Sequence, residues 1–156
     1  MSHELRFERA FDASPEEVFD AFVDPEGLEE MYGADEPGWI VESQGEVRVG
    51  GAWSVAFGPS RDKLYRFTHV FWVVDRPQRV AFATTETAPD GTILDLDVEL
   101  TFEERNGKTL VTVVQRGFPS AELRDLHEVG QQEGFDRLAS RVYARRSGPD
   151  AETCRR

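Results

Sequence analysis

Cysteine is almost absent from this chain of 156 residues, which has one, Cys154, near its end. A single cysteine cannot form an intrachain disulfide or supply a thiolate metal cluster, so we expect a reducing compartment, the cytoplasm. No run of about eighteen apolar residues occurs, and the opening MSHELRFERAF lacks the apolar core of a secretory signal. We therefore expect neither membrane insertion nor secretion.

Basic residues are scarce as well, with 18 Lys and Arg against 30 Asp and Glu and a formal net charge of −12. A phosphate backbone requires clustered cations, so this balance argues against nucleic acid as a partner. Hydrophobic residues make up 39% of the chain, which is enough for one ordinary core. We predict a single domain over residues 1–145 and a polar, flexible tail over residues 146–156.

Histidine is rare, and its three copies lie far apart: His3, His69 and His127. Because they lack the spacing of metal ligands, we expect no metal site and no cofactor, and we interpret His127 as a rim or capping residue. Ser54, Ser120 and Thr84 lack an elbow motif or a neighbouring base, so nothing supports nucleophilic catalysis. No catalytic constellation is recognisable, and whether the protein is an enzyme stays open.

The elements are predicted in the order strand, two short helices, strand meander and long helix. Ser14 is a predicted N-cap, Pro15 occupies the first helical position and Glu17 completes a capping box. From residue 39 to residue 116 the hydrophobic pattern has period two and is interrupted by turn signals, which indicates antiparallel strands. In this meander, Gly50 and Gly51 are predicted to form a tight bend.

The stretch SAELRDLHEVGQQEGFDRLASRVYARR predicts the long helix, with one apolar stripe formed by Leu123, Leu126, Phe135, Leu138 and Val142. An antiparallel sheet with one apolar face must cover that face, and this helix is the only element large enough to do so. The predicted fold class is α+β, with a curved antiparallel sheet of about six or seven strands wrapped around the C-terminal helix.

Five stretches carry a family resemblance, in this order: SPEEVFDAFVDPEGL, VRVGGAW, VVDRPQRVAFAT, GKTLVTVVQRGFP and HEVGQQEGFDRLASRV. Together they resemble the family named for the activator of Hsp90 ATPase homolog 1, within the START/Bet v1-like (SRPBCC) superfamily of helix-grip folds. The resemblance extends to about Val142. It implies a cavity between sheet and helix that holds hydrophobic ligands, with cyclase or dehydratase chemistry in some members.

Two positions depart from the family pattern. Met31 and Tyr32 stand where tryptophan is usual near the end of the second short helix, and Gly130-Gln131 replaces Gly-Trp in the long helix. Both changes are expected to alter the rim or lining of a cavity, so the identity of a ligand does not transfer from relatives.

We predict a domain that binds a small hydrophobic molecule in a cavity of roughly 300 Å³ or more. The alternatives are an enzyme resembling polyketide cyclases or dehydratases, with His69, Tyr65, Gln115 and His127 as polar candidates, and an activator of an Hsp90-type ATPase or another protein-interaction module. The predicted ligand-binding residues are Trp53, Val55, Phe57, Tyr65, Phe67, His69, Phe71, Phe82, Leu96, Val98, Val111, Val113, Gln115, Gln131, Phe135 and Leu138. Oligomeric state stays open, a homodimer included.

Two interpretations within this set remain undecided. Aromatic residues fall on both faces of the strand over residues 64–75, although Arg66 and Thr68 favour Tyr65 and Phe67 pointing inward unless a bulge reverses the pattern. Gln115 continues the apolar face of its strand and needs a partner, which is a ligand, a strand end, water or Gln131.

Overall fold

The computed structural model of the protein describes residues 3–34 and 36–146. Its elements are β1 (His3–Phe11), α1 (Pro15–Val23), α2 (Pro25–Met31), β2 (Ile40–Gly45), β3 (Ala52–Gly58), β4 (Tyr65–Asp75), β5 (Arg79–Thr87), β6 (Ile93–Arg105), β7 (Lys108–Phe118) and α3 (Ala121–Arg146). Residues 147–156 of the predicted tail lie outside the described residues, so the tail remains a prediction. In the described ranges, no helix is long and apolar enough to cross a membrane.

In the described part of the chain, seven strands form one antiparallel sheet in the order β1-β7-β6-β5-β4-β3-β2. From β2 to β7, consecutive strands pair with each other. Strand β1 pairs with β7 and forms the edge of the sheet opposite β2. Helix α3 packs against β1 and β7 and against both short helices. The predicted α+β helix-grip fold is confirmed.

Helix α1 begins at the predicted capping box. The backbone N–H of Glu17 donates to Ser14 Oγ at 3.2 Å, and the Glu17 carboxylate accepts from the Ser14 N–H at 3.3 Å. Just before this cap, the buried Thr109 hydroxyl donates to the Ala13 carbonyl at 2.7 Å. The start of α1 is thus attached to β7, which positions both short helices over one end of the sheet.

Strand β4 changes its inward face at a bulge. Phe67, His69 and Phe71 point towards the core, and the register with β5 then shifts between Phe71 and Val73. Trp72, at the shift, is 63% exposed, whereas Val74 packs against the core again. The inward-facing alternation favoured by the sequence is correct up to the bulge, which then reverses it.

Gly50 and Gly51 form the predicted bend before β3. Gly50 has φ +78°, a conformation that favours glycine, and its N–H donates to the Phe71 carbonyl at 2.8 Å. The Phe71 N–H in turn donates to the Gly51 carbonyl at 3.1 Å. A Cβ on Gly51 would lie 2.9 Å from the Glu46 carbonyl oxygen, so a side chain does not fit. The bend therefore fixes the β2–β3 hairpin on β4 beside its bulge.

The apolar stripe of α3 differs from the predicted one at a single position. Phe135, Leu138 and Val142 are buried, but Leu126 is 63% exposed. A helix turns by about 100° per residue, so Leu126, nine residues before Phe135, points in the opposite direction. The inward side of this first half of the helix carries His127 instead.

Candidate functional site

A cavity lies between the concave face of the sheet and helices α1, α2 and α3. Its volume is about 50 Å³, room for a few water molecules and well below the expected 300 Å³. Large side chains from both layers fill most of the space. The residues that line the cavity are Phe22, Leu28, Met31, Tyr32, Phe67, His69, Phe71, Val80, Phe82, Thr84, Glu86, Leu96, Val98, Leu100, Gln115, Gln131 and Phe135.

The predicted ligand-binding residues divide between the cavity and the surrounding core. Those in the lining are Phe67, His69, Phe71, Phe82, Leu96, Val98, Gln115, Gln131 and Phe135. Those buried away from the lining are Trp53, Val55, Val111, Val113 and Leu138. Phe57 packs at the margin of the core, and Tyr65, 42% exposed, stacks on it outside the cavity with ring centroids 5.7 Å apart.

Sequence reasoning missed the lining residues Phe22, Leu28, Met31, Tyr32, Val80, Thr84, Glu86 and Leu100. Three of them continue the two-residue alternation of Phe82 along β5, a signal that was present in the sequence. Met31 and Tyr32 stand where the family usually has tryptophan, and Gln131 replaces the other one. The structure places all three residues in the cavity lining.

His69 lies at the centre of a buried chain of polar side chains. Its Nδ1 lies 2.8 Å from the Thr84 hydroxyl, directly across the β4–β5 pair, and its Nε2 lies 3.2 Å from the Tyr32 hydroxyl. Burial lowers the pKa of His69 to about 3, so the ring is neutral. The expectation that Thr84 lacks a neighbouring base is wrong, because strand pairing places His69 opposite it.

The proton of the Tyr32 hydroxyl is held firmly. Burial, followed by the nearby charge of Glu86, raises the pKa of Tyr32 well above its ordinary value. Tyr32 therefore stays a neutral hydrogen-bonding group, and the chain of Tyr32, His69 and Thr84 brings no charge to the cavity.

A second polar pair connects β5 to α3. His127 Nε2 lies 2.9 Å from Glu86 Oε1, and His127 Nδ1 lies 3.0 Å from the Leu123 carbonyl oxygen. Both ring nitrogens face acceptors, which suits the doubly protonated imidazolium. Burial alone would lower the pKa of His127, but the hydrogen bond and charge of Glu86, together with the Leu123 carbonyl, raise it. When protonated, His127 thus forms a partly buried ion pair with Glu86.

Gln115 is the polar side chain of the lining that keeps an unpaired atom. It is 4% exposed on β7, opposite Val98 of β6. Among the described residues, no group donates a hydrogen bond to its Oε1. Gln131, one of the partners considered from sequence, lines the same cavity without supplying that hydrogen bond. The cavity wall therefore carries a buried acceptor that receives no hydrogen bond from the described residues.

The site combines apolar walls with neutral proton donors, a buried carboxylate and an open acceptor. Within residues 3–34 and 36–146, no three His, Cys, Asp or Glu side chains are grouped so that they could hold a metal ion. The lining thus offers apolar walls together with a small number of polar groups, the composition of a binding pocket.

Solved structures share this architecture. CV1439 from Chromobacterium violaceum is 22% identical, with a TM-score of 0.75 over 88% of this chain and 96% of that one. SA2116 from Staphylococcus aureus, a protein of unknown function, is 17% identical, with a TM-score of 0.77 over 95% and 98% of the two chains. DynU16, from the dynemicin biosynthetic locus, is 18% identical, with a TM-score of 0.69 over 90% of this chain and 47% of its own.

At these identities the likeness to solved structures shows the fold alone. A comparison with curated proteins gives no match. The family model for activator of Hsp90 ATPase homolog 1-like proteins matches residues 12–142, which include both short helices, β2 to β7 and most of α3. The chain therefore belongs to the family of activator of Hsp90 ATPase homolog 1-like proteins.

Proposed function

We propose that this domain binds a small, mostly apolar molecule in the cavity between the sheet and α3. The observation that carries the proposal is the unpaired Gln115 Oε1 on the cavity wall. A buried acceptor without a donor costs about 1–3 kcal/mol, whereas an apolar residue of similar volume would avoid this cost. A ligand that donates a hydrogen bond to Gln115 Oε1 would explain why a glutamine, and not an apolar residue, stands at this position.

Other unpaired atoms do not offer the same explanation. In the described part of the chain, Trp53 Nε1 and Arg141 Nε are also buried without a partner. Neither residue lines the cavity, and Arg141 uses its remaining nitrogens to bind acidic side chains of α2, including Glu30. Gln115 alone among the three lines the cavity.

A volume of about 50 Å³ must increase before it admits even one aromatic ring. Met31 is suited to give way, because its side chain is unbranched and flexible and lies at the end of α2. Its Cγ packs against the backbone of Gly134 in α3. We therefore expect ligand entry to displace Met31 and to leave the sheet unchanged.

The test uses Gln115→Leu, with Gln44→Leu at an exposed position of β2 as the matched control. Thermal melts and calorimetric titrations with 4-ethylphenol are carried out on both variants and on the original protein. If Gln115 serves a ligand, its replacement leaves the melting temperature equal or higher and weakens binding about fivefold, the value of one hydrogen bond. A clearly lower melting temperature with unchanged binding would make Gln115 an ordinary structural residue and remove the support for this proposal.

Proton-transfer catalysis is the second candidate function, and the chain of Tyr32, His69 and Thr84 favours it. A carbonyl compound bound beside Tyr32 would accept a hydrogen bond from the hydroxyl, and the Glu86 carboxylate of the same lining would take its α-proton, as enolisation and aldol cyclisation require.

An exchange experiment tests that class without knowing the substrate. Acetophenone is incubated with the protein in D2O, and loss of its α-proton signal is followed by NMR. Enzymatic proton transfer predicts exchange faster than in buffer and a marked loss of rate in both Tyr32→Phe and His69→Phe. Equal rates with and without protein would leave binding as the better-supported function.

Stimulation of a chaperone ATPase, which the family name suggests, is the third class. We expect none, because a chain of net charge −12 offers an acidic surface whose contacts would be weak and salt-sensitive. The measurement is ATP turnover by a purified Hsp90-type ATPase with increasing amounts of this protein. A saturable, several-fold rise in ATP turnover would make ATPase stimulation the better-supported function.

We propose the cytoplasm as the compartment, in keeping with a single cysteine.

A further inference from the structure

We propose that the cavity selects molecules whose polar end donates a hydrogen bond and which are neutral or cationic, and that it rejects carboxylates. This inference rests on the proposed ligand-binding function and names the chemistry of its ligand. It follows from which polar groups of the lining are already occupied and which are still available.

The imidazole of His69 is occupied on both sides by hydroxyls, and because a neutral ring has one donor and one acceptor nitrogen, one hydroxyl donates to it and the other accepts from it. His69 bonds to Tyr32 on one side and to Thr84 on the other, so this chain satisfies its own central ring. Gln115 Oε1, in contrast, is an acceptor without a donor in the described part of the chain. A ligand that brings a hydroxyl or ammonium group completes this bond, whereas a ligand that brings only acceptor atoms leaves it unmade.

The position of Gln115 in the sheet determines what surrounds the ligand's polar end. Strand pairing aligns Gln115 with Val98 of β6, Phe82 of β5 and Phe71 of β4 in one row across the concave face. All of these neighbours line the cavity and are apolar. The polar end would therefore contact a single acceptor within a hydrocarbon environment, where one hydrogen bond discriminates strongly between ligands.

Charge supplies the second criterion. Glu86 is 8% exposed, lines the cavity and holds His127 at 2.9 Å on its other side. Among the described residues of the lining, none is Lys or Arg, and His69 is neutral. Glu86 is engaged by His127, so an anionic ligand would lose its hydration without gaining a cation in return and would lie beside a carboxylate that already has its partner, which opposes its binding.

The experiment compares four single-ring molecules of nearly equal size by calorimetric titration: 4-ethylphenol, its isomer 4-methylanisole, 4-methylbenzylammonium and 4-methylbenzoate. The phenol and the anisole contain the same atoms but differ in whether the oxygen can donate a hydrogen bond. We expect the phenol to bind about fivefold more tightly than the anisole, the ammonium compound to bind measurably, and the benzoate not to bind.

Two variants assign these preferences to residues. Gln115→Leu should remove the advantage of the phenol over the anisole, while the exposed Gln44→Leu keeps it. Glu86→Gln should weaken the ammonium compound and admit the benzoate, while Glu103→Gln, at an exposed position of β6, changes neither. If Glu86→Gln does not fold, as judged by circular dichroism, the four affinities of the original protein decide the question of charge.

The outcomes separate the two proposals. If none of the four molecules binds, the proposed binding function fails and this inference fails with it. If all bind equally, or if the anisole or the benzoate binds most tightly, the cavity is a ligand site but its selectivity is not the one inferred here.

Discussion

Two glycines in α3 provide a sharp test of how this helix packs. Gly130 is exposed, and a Cβ placed on it would have no atom within 4 Å. Gly134 is buried, and a Cβ there would lie 2.9 Å from Met31 Cγ and 3.1 Å from the Met31 carbonyl oxygen. The same substitution to alanine should therefore have opposite consequences one helical turn apart.

The magnitudes follow from two competing effects. Replacing glycine by alanine inside a helix stabilises it by about 1 kcal/mol, since the unfolded chain loses conformational freedom. Gly130→Ala should show this full gain and raise the melting temperature by roughly 2–4 °C for a chain of this length. In Gly134→Ala, overpacking against Met31 costs about 1–3 kcal/mol. The gain is then cancelled or reversed.

Urea and thermal denaturation followed by circular dichroism measure both variants. A double-mutant cycle isolates the contact: in a Met31→Ala background the side-chain clash disappears, so Gly134→Ala should become less harmful. Equal stabilisation by both substitutions in the original protein would contradict the packing of Met31 on α3. Loss of stability in Gly130→Ala would contradict the helical conformation of that exposed turn.

Three further measurements test other parts of the structure. Because partnership with Glu86 raises the pKa of His127, the pair should stabilise the fold fully below about pH 6.5 and lose its contribution as pH rises through the folded pKa. Glu86→Gln should flatten that part of the pH dependence, and unchanged profiles would argue against the ion pair. Thr109→Val leaves the Ala13 carbonyl without its donor and should cost about 1–3 kcal/mol in urea unfolding, whereas Thr109→Ser should be milder. Ser14→Ala removes the capping box and should lower the free energy of unfolding by about 0.5–2 kcal/mol, and no change would show that the cap is dispensable.

Local patterns in the sequence were sufficient to predict most of the fold. The capping box at Ser14 is a contact between near neighbours, and the alternation from Leu94 to Phe102 directly encodes which side of β6 is buried. The bend at Gly50 was predictable for the same reason, because glycine there reflects a backbone requirement. Structural features that depend on a few adjacent residues can therefore be predicted from the sequence.

The polar residues of the cavity were harder to predict, because each is explained by a partner far away in the sequence. Glu86 sits on the inward face of β5, where a carboxylate alone would be costly, and its partner His127 lies 41 residues later on α3. No local pattern marks Thr84, because its partner His69 lies opposite it only through the pairing of β4 with β5. The error at Leu126 had a simpler cause, since helical geometry places it opposite Phe135 and could have been applied to the sequence directly.

The polar groups of the cavity differ in whether protein contacts explain them, and this supports a ligand class more directly than a reaction. The chain of Tyr32, His69 and Thr84 and the pair of Glu86 and His127 both satisfy groups that burial would otherwise penalise, so stability alone can account for them. Gln115 Oε1 has no such account within the described residues. A stabilising contact cannot explain an atom that makes none, so the proposed ligand is our explanation for a glutamine at this position, and the donor preference in the four-molecule titration tests it directly.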